Sequence, residues 1–411
     1  MDERRRVVIT GIGVLSSIGN GVDRFTEALR AGRAGTAEIE QPDTEGFPHR
    51  RGHQVRDFTP EAWVRHLPLE DVGRAAQFAI ATTRMALADA GLDPAELAAR
   101  RGVVSVGTTD GGVPDLDRIV EAVLPGGLED MPARMARRVS AAQLSTQVAR
   151  DLRLGAVEAT TIATACAAGN YAIGNGFDAV RSGECDYALV GGADALCRKT
   201  LVTFTRLGLV AREECRPFDS ERDGMLLGEG AGMLVLEDAR SALARGAQVY
   251  AEVLGYGLNC DAHHPVAPER SGVARCMRLA LDDAAVKPED VDLVVAHGTG
   301  TQMNDVTEAQ ALRDVFGDGI PRTTAIKSMI GHTMGAASAL GAVAGALAIR
   351  RGFIPPTANH RRTDPECPVD CVPNHAVGSE VRIVQNNAMA FGGNNAVVVL
   401  GRHHGQGVSQ K

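Results

Sequence analysis

One cysteine lies where a strand-like run turns into a helix-like run. The stretch TTIATACAAGNYAIG (160–174) begins with β-favouring residues, reaches Cys166 and continues with small residues. The first N–H groups of a helix have no partner within it and the helix dipole is positive there, so both features favour a thiolate at Cys166. The context predicts a nucleophile, and the structural alternative is a small buried core cysteine.

Two histidines occupy comparable positions at the ends of strand-like runs. His297 follows an apolar run and opens the Gly/Thr loop AHGTGT, whereas His332 follows AIKSMIG, which also contains Lys327. Sites in α/β folds assemble at strand ends, and cysteine with histidine is a known nucleophilic combination. We therefore predict that Cys166, His297 and His332 meet in one site.

Strand-like and helix-like runs alternate along the chain, which predicts an α/β fold. A helix is expected at 75–90, because Gly91 follows as a helix-ending residue. Gly174 and Gly176 fall inside the helix after Cys166, where each costs ~1 kcal/mol relative to Ala. This cost predicts that another backbone packs closely on that helix. The expected strands are 7–14, 103–108, 160–164, 187–191, 233–236, 293–296 and 396–400.

An internal repeat divides the chain into two similar halves. MALADAGLDPAEL (85–97) is echoed by LALDDAAVKPEDV (279–291), and VVSVGTT (103–109) is echoed by VVAHGTG (294–300). The first strand-like run also has a looser echo, AEVLGYG, just after residue 250. We predict one half at 1–250, carrying the cysteine, and a second at 251–411, carrying both histidines and ending in a flexible tail at 403–411.

Composition argues against several classes of protein. The 411 residues carry a formal net charge of −8, and no basic segment is extended enough to predict nucleic-acid binding. No apolar run approaches the ~18 residues of a membrane span and no signal-peptide pattern is present, so we expect a cytoplasmic protein that does not bind membranes. The eight cysteines are scattered, which favours reduced thiols, and the pair Cys367 and Cys371 lacks the further ligands of a zinc site. We expect no metal.

Five motifs follow one another along the chain. They are TACAAG around Cys166, RPFDSERDGMLLGEGAGMLVLE (216–237), AHGTGT with Asp305 and Glu308, KSMIGH (327–332) and NNAMAFGGNN (386–395). In this order they resemble the elongating β-ketoacyl-[acyl-carrier-protein] synthases, from about residue 4 to 402. The resemblance implies a thiolase-like, five-layered αβαβα fold built by internal duplication. It also implies a decarboxylative Claisen condensation of an acyl group with malonyl-carrier, in fatty-acid or type II polyketide biosynthesis.

The resemblance implies a role for each candidate residue. Cys166 would accept the acyl chain, and the N–H groups of Cys166 and Phe391, the gate residue, would form the oxyanion hole. His297 and His332 would bind the malonyl carbonyl and stabilise the enolate, supported by Lys327 and Glu308. No cofactor would be bound, since the substrates are carried on the phosphopantetheine of an acyl carrier protein. The residues expected to bind substrate are Thr299, Thr301, Met389 and Phe204.

The same resemblance implies protein partners. These are the acyl carrier protein and a second subunit, in either a homodimer or a heterodimer with a chain-length factor. The basic string ARMARR offers Arg134, Arg137 and Arg138 as a carrier-docking patch.

Three alternatives within this superfamily remain to be weighed. Another thiolase-fold acyltransferase, a thiolase, would place a second cysteine near the C-terminal Gly-rich loop, where NNAMAFGGNN has none. A chain-initiating synthase would carry Asn in place of His332. A non-catalytic chain-length-factor-like subunit would lack the nucleophile, whereas Cys166 is present with both histidines.

Overall fold

Strands and helices alternate through the part of the chain that the computed structural model describes, residues 5–403 without 128, 130 and 132. The predicted tail lies outside these residues from 404 onward. The described strands are β1 (Val7–Ser16), β2 (Gly19–Asn20), β3 (Ala37–Glu38), β4 (Arg51–Gly52), β5 (Gly102–Gly107), β6 (Val157–Ile162), β7 (Tyr187–Asp194), β8 (Gly230–Asp238), β9 (Ala251–Cys260), β10 (Leu293–Val295), β11 (Arg322–Thr324), β12 (Phe353–Ile354), β13 (Val377–Gly378), β14 (Ile383–Met389) and β15 (Asn394–Gly401). The described α-helices are α1 (Val22–Arg30), α2 (Arg74–Asp89), α3 (Pro94–Leu97), α4 (Val113–Gly126), α5 (Ala133–Ala136), α6 (Gln143–Asp151), α7 (Ala168–Ser182), α8 (Arg198–Arg206), α9 (Ala239–Ala244), α10 (Arg270–Asp283), α11 (Gln302–Phe316), α12 (Lys327–Ile330) and α13 (Ala336–Arg351).

The main sheet has a symmetric strand order. Within the described residues it runs β11-β10-β14-β15-β9-β1-β8-β7-β5-β6, with β2 paired to β1. The two sides join where β1 and β9 pair antiparallel, with Val7 opposite Val253. On one side β5 is parallel to β6 and β7, and on the other side β10 is parallel to β11 and β14. This matching order confirms the predicted duplication of two similar halves.

Helices cover and separate the two sides of the sheet. Helices α2 and α6 pack on the side that contains β1, β8 and β5, whereas α10 packs on β9 and β15 and against α11. Helices α7 and α13 lie between the two sides and contact strands from both. Three large buried hydrophobic clusters fill the spaces between these layers. The result is the five-layered αβαβα arrangement that the resemblance implied.

Small residues allow the two central helices to pack closely. A Cβ on Gly169 would lie 2.6 Å from the amide nitrogen of Ala339, so the backbones of α7 and α13 meet there. The expectation of a close backbone at Gly174 and Gly176 is wrong. A Cβ at Gly174 would meet the Tyr256 ring at 2.7 Å, and one at Gly176 would meet β7 side chains. These glycines make room for side chains.

The predicted elements occur with shifted ends. The strand expected at 160–164 ends at Ile162, because the chain then leaves the sheet to reach the turn at Cys166. The strand expected at 187–191 continues to Asp194, and the helix expected at 75–90 begins at Arg74 and ends at Asp89. In the described part of the chain, no helix has both the length and the hydrophobicity needed to cross a membrane.

Candidate active site

A cavity of about 90 Å³ brings the predicted nucleophile and both histidines together. All the predicted substrate-binding residues and the gate residue line it as well, whereas Lys327 and Glu308 lie behind it, against His297. Apolar side chains make up most of the remaining wall. The full lining is Cys166, Phe204, Leu209, Met225, Val266, Pro268, His297, Thr299, Thr301, Met303, Asn304, His332, Met389, Ala390 and Phe391.

Cys166 lies in a short 3-10 turn, Ala165–Ala167, between β6 and α7. Ala165 has φ of 50°, a left-handed conformation that costs a non-glycine residue about 1–2 kcal/mol. The surrounding structure holds this strained turn in place, with Cys166 buried at the wall of the cavity. Strain of this kind concentrates where a reactive group must be presented in one orientation.

The environment of Cys166 favours the neutral thiol. Burial raises the pKa of the Cys166 thiol to about 12, and the Lys327 ammonium opposes this rise. The carboxylates of Asp194 and Asp110 raise the pKa further. The expectation of a thiolate at Cys166 is therefore wrong, because desolvation and the two neighbouring carboxylates raise the pKa of the thiol.

His332 is fixed by its backbone and by one ring nitrogen. Its N–H donates to the Leu226 carbonyl at 2.7 Å, and its carbonyl accepts from the Gly228 N–H at 3.0 Å. The Met334 N–H donates to Nδ1 at 3.1 Å, so Nδ1 holds the lone pair and Nε2 carries the proton of the neutral ring. Burial, with the Lys327 charge, lowers the pKa of His332 well below its usual value, which keeps the ring neutral.

The loop that carries His297 is held by the buried carboxylate of Glu308. Glu308 accepts the N–H groups of His297 and Gly298, each at 2.8 Å, and the side-chain amide of Asn387 at 3.1 Å. The Lys327 ammonium donates to the His297 carbonyl at 2.5 Å. Two opposite charges therefore fix this loop from two sides.

The ring of His297 has the same protonation pattern as that of His332. Lys327 Nζ lies 3.4 Å from Nδ1 of His297, and an ammonium can only donate, so the proton of the neutral ring is on Nε2. Burial lowers the pKa of His297 well below its usual value, and the Lys327 charge and His332 lower it further. The two ring centroids are 5.5 Å apart. The cavity therefore presents two neutral imidazoles that can each donate from Nε2.

Aromatic rings form the wall beside the histidines. The Phe204 ring lies 5.4 Å from the Phe391 ring and 6.5 Å from His332, centroid to centroid. Gly392 and Gly393 follow Phe391 with φ of 85° and 81°, a sharp turn that suits glycine. Among the described residues no protein group accepts the N–H of Phe391, so this donor is free to bind a substrate oxygen.

Sequence reasoning missed one carboxylate beneath the site. Asp194, at the end of β7, accepts from the Thr108 hydroxyl at 2.6 Å, the Thr109 N–H at 2.8 Å and the Gly335 N–H at 2.6 Å. It thereby ties the loop after β5 to the start of α13. Burial and the neighbouring Asp110 raise the pKa of Asp194 to about 7. An acidic residue at the end of an apolar strand, LVGGAD, was the signal that could have identified it.

The three arginines of the predicted docking patch do not line the cavity. Arg137 is exposed and lies 3.4 Å from an Asp71 carboxylate oxygen. Arg138 is largely buried, lies 3.4 Å from Asp115 and donates to a backbone carbonyl. Arg134 is exposed on α5. Arg138 is therefore engaged within the fold, whereas Arg134 and Arg137 remain accessible.

The chain is similar to curated proteins over nearly its whole length. The "3-oxoacyl-[acyl-carrier-protein] synthase 2" of Staphylococcus aureus (strain COL) is 35% identical over 410 residues, covering 97% of this chain and 99% of that protein. The "Nodulation protein E" of Rhizobium sp. (strain N33) is 38% identical over 405 residues, covering 96% of this chain and 99% of that protein.

Solved structures show the same extent of similarity. One described as "The ishigamide ketosynthase/chain length factor" is 58% identical with a TM-score of 0.96, covering 98% of this chain and all of that one. A chain from a structure of a type II PKS acyl-carrier protein in complex with its ketosynthase is 30% identical to this chain, with a TM-score of 0.90. The match covers 98% of this chain and all of that one. A "Beta-ketoacyl synthase" from Burkholderia phymatum STM815 is 32% identical with a TM-score of 0.90, covering 97% of this chain and all of that one.

Two family models match the chain in succession. The model of the N-terminal domain of β-ketoacyl synthases matches residues 4–242, and the model of their C-terminal domain matches residues 250–361. Both matches include residues of the cavity, Cys166 in the first and the two histidines in the second. The chain belongs to the β-ketoacyl synthase family.

Proposed function

We propose that this protein is a β-ketoacyl-[acyl-carrier-protein] synthase that uses Cys166 as its nucleophile. It transfers an acyl group from a carrier thioester to Cys166 and condenses it with malonyl-carrier, with loss of carbon dioxide. One observation carries the proposal: Cys166 shares a cavity with two neutral imidazoles that each have a proton on Nε2.

In the first half-reaction, the Cys166 sulfur attacks the carbonyl carbon of the acyl thioester. The N–H groups of Cys166 and Phe391 donate to the oxygen that becomes negative, an effect typically worth about 3 kcal/mol per donor. The carbon–sulfur bond to the carrier then breaks. Because the thiol pKa is raised and both imidazoles already hold a proton on Nε2, we assign the thiol proton to the departing carrier sulfur.

In the second half-reaction, the malonyl thioester carbonyl accepts hydrogen bonds from Nε2–H of His297 and His332. The bond between the carboxylate and the neighbouring carbon breaks, and carbon dioxide leaves. The electron pair of that bond stays behind and forms an enolate, which the two Nε2–H donors stabilise. The enolate carbon attacks the thioester on Cys166 and a carbon–carbon bond forms. The Cys166 sulfur leaves as a thiolate and takes a proton from solvent, because the thiol proton of the first half-reaction left with the carrier. Lys327 and Glu308 keep the two rings in position.

A polar part of the cavity wall suits the arm that carries the substrates. Thr299 and Thr301 line the cavity with their hydroxyl oxygens 2.9 Å apart. The carboxylate of Asp305 accepts the N–H groups of Thr299 and Gly300 at 3.1 and 3.2 Å, which fixes this loop. We assign the two hydroxyls to hydrogen bonds with the phosphopantetheine of a carrier.

A chain-length-factor role is a second candidate because the relative at 58% identity is described as a ketosynthase/chain length factor. Such a subunit shapes its partner's cavity and needs no nucleophile. The presence of Cys166, His297 and His332 in one cavity favours the catalytic subunit. A thiolase activity finds no support, because residues 386–395 contain no second cysteine.

The surface around the cavity supports docking of an acidic carrier protein. Phe204 and Leu209 line the cavity, and between them Arg206 and Leu207 are exposed. Met303, at the start of α11, also lines the cavity and is 58% exposed. A basic group beside apolar side chains suits a partner that must insert its arm here. The proposal adds Arg206 to the accessible arginines of the predicted docking patch.

A second subunit is also part of the proposal. Strand β6 is the edge of the main sheet and is largely half-buried, which leaves its outer hydrogen-bonding groups available for another strand. Leu116, Val120 and Leu124 follow one another at four-residue spacing on α4 and are 40%, 46% and 80% exposed. We expect a dimer, with itself or with a chain-length factor, and sedimentation of the active protein as a monomer would contradict this. The cytoplasmic location stays a prediction.

Three variants test the proposed division of labour. Cys166→Ala should abolish acyl transfer, and Cys166→Gln should do the same while keeping malonyl decarboxylation, because the amide imitates the acylated enzyme. His332→Ala should still accept an acyl group but release carbon dioxide ~10²–10³-fold more slowly. The measurements are acyl-enzyme mass, carbon dioxide release and melting temperature. Wild-type decarboxylation by a folded His332→Ala protein would refute the role assigned to His332.

A further inference from the structure

His53 is a buried histidine on the far side of the segment that pairs with His332. Its N–H donates to the Leu227 carbonyl at 2.8 Å, and its carbonyl accepts from the Glu229 N–H at 3.0 Å. The Leu226 carbonyl and the Gly228 N–H point to the opposite edge, where both bond to His332. Residues 226–229 therefore form an extended segment that pairs through isolated β-bridges with His53 on one edge and with His332 on the other.

The imidazole of His53 packs against the turn that leads into His332. Gly331 has φ of 66°, and a Cβ at this position would lie 2.6 Å from Cδ2 of His53. Ser17 Oγ lies 3.2 Å from Nδ1, and Thr36 Oγ1 lies 3.1 Å from Nε2. Both ring nitrogens are therefore partnered, and the ring packs against the turn at Gly331.

We propose that His53 is a positioning residue for the decarboxylation step. The turn that it contacts begins with Lys327 in α12 and ends at His332, so one side chain supports both the cation beside His297 and the second donor ring. His53 does not line the cavity, and it acts through His332 and Lys327. This inference rests on the proposed function.

The contact has the features needed to affect one half-reaction selectively. An apolar residue at position 53 would remove the imidazole partner of the half-buried Ser17 and Thr36 hydroxyls and the ring that packs against Gly331, so the turn would lose this support. A displacement of about 1 Å in a reacting group can cost ~10²-fold in rate. Acylation depends on Cys166 and Phe391, which belong to other segments of the chain.

The test compares both half-reactions in the full-length protein carrying His53→Leu or His53→Gln. His53→Leu should reduce carbon dioxide release from malonyl-carrier by ~10–100-fold while acylation of Cys166 changes by no more than about twofold. His53→Gln keeps a donor and an acceptor, so it should restore part of the decarboxylation rate. Equal rates of carbon dioxide release in both variants and the wild type would overturn the inference.

A matched control separates positioning from stability. Tyr250→Phe removes a buried hydroxyl that bonds to Asp89 at 3.0 Å, outside the cavity. It should lower the melting temperature without changing the ratio of the two half-reactions. If His53→Leu does not fold, Thr36→Val, which removes the partner of Nε2, carries the same test. A parallel loss of both half-reactions would overturn the inference. A wild type that releases no carbon dioxide from malonyl-carrier would instead refute the proposed function.

Discussion

Replacing Glu308 with Gln tests whether the buried carboxylate that holds the His297 loop is needed for decarboxylation. The substitution leaves every residue that lines the cavity unchanged. The carboxylate has one oxygen that accepts from both His297 and Asn387 and another that accepts from Gly298. A glutamine would place its oxygen where two donors meet. Its NH₂ group would then face the N–H of Gly298, and two donors would oppose each other in a buried site.

The expected magnitudes follow from these contacts. A buried donor without an acceptor costs about 1–3 kcal/mol, so the free energy of unfolding should fall by this amount. Burial lowers the pKa of Lys327, and the Glu308 charge opposes that effect, so its loss lowers the pKa further. Because Glu308 holds the backbone of His297, the two opposed donors would also displace this loop and move Nε2–H of His297 out of alignment. The loss of one aligned donor should slow carbon dioxide release by ~10²-fold.

The assay needs denaturant unfolding, carbon dioxide release and the rate of Cys166 acylation on the same preparations. Glu237→Gln is the matched control, because Glu237 is also fully buried and accepts from Thr10 and Arg245 outside the cavity. Both variants should lose stability, but only Glu308→Gln should lose decarboxylation. If the two variants decarboxylate equally fast, the carboxylate stabilises the fold and the reasoning is refuted.

Three further predictions follow from titration and surface charge. Because burial lowers the pKa of both cavity histidines well below 6.5, carbon dioxide release should stay constant between about pH 8 and pH 6, and an inflection near 6.5 would contradict this. Reversing the charge of Arg134 and Arg137 should raise KM for carrier-bound substrate but not for a small thioester, whereas reversing Arg138 should lower the melting temperature because it breaks the contact with Asp115. Burial lowers the pKa of His53 to about 3 in the folded protein, whereas the same side chain has its ordinary pKa of 6.5 in the unfolded chain. As the pH falls below 6.5, the unfolded chain therefore binds a proton at His53 that the folded protein does not bind, and the free energy of unfolding decreases. His53→Leu should reduce the slope of unfolding free energy against pH by about 1.4 kcal/mol per unit between pH 6 and 4, as measured by denaturant titration; an unchanged slope would refute the prediction.

The candidate site could be predicted from the sequence because its chemistry lies at strand ends. Cys166 and His297 each follow a strand, β6 and β10, and the strand–loop boundary is a local property of the chain. The run AIKSMIG before His332 was expected to be strand-like, but residues 327–330 of it form the short helix α12. The duplication was also visible, since the sequences around α2 and α10 share a pattern. These are features that neighbouring residues determine.

Other properties of the site depend on residues far apart in the chain. The raised pKa of Cys166 comes from burial and from Asp194 and Asp110, neither of which adjoins it in sequence. His53 reaches the catalytic turn only because residues 226–229 pair with both sides. The two glycines of α7 indicated a crowded helix, but periodicity does not reveal whether a backbone or a side chain fills the space.

The duplication has a consequence for the ancestry of the chemistry. Cys166 immediately precedes α7, and His332 comes shortly before α13, and these are the two central helices of the matched halves. An ancestor built from two identical copies of one half would have carried the same residues before both helices. Joining the copies in one polypeptide allowed each position to mutate independently. One copy could then specialise in holding the acyl group, and the other in generating the carbanion that attacks it.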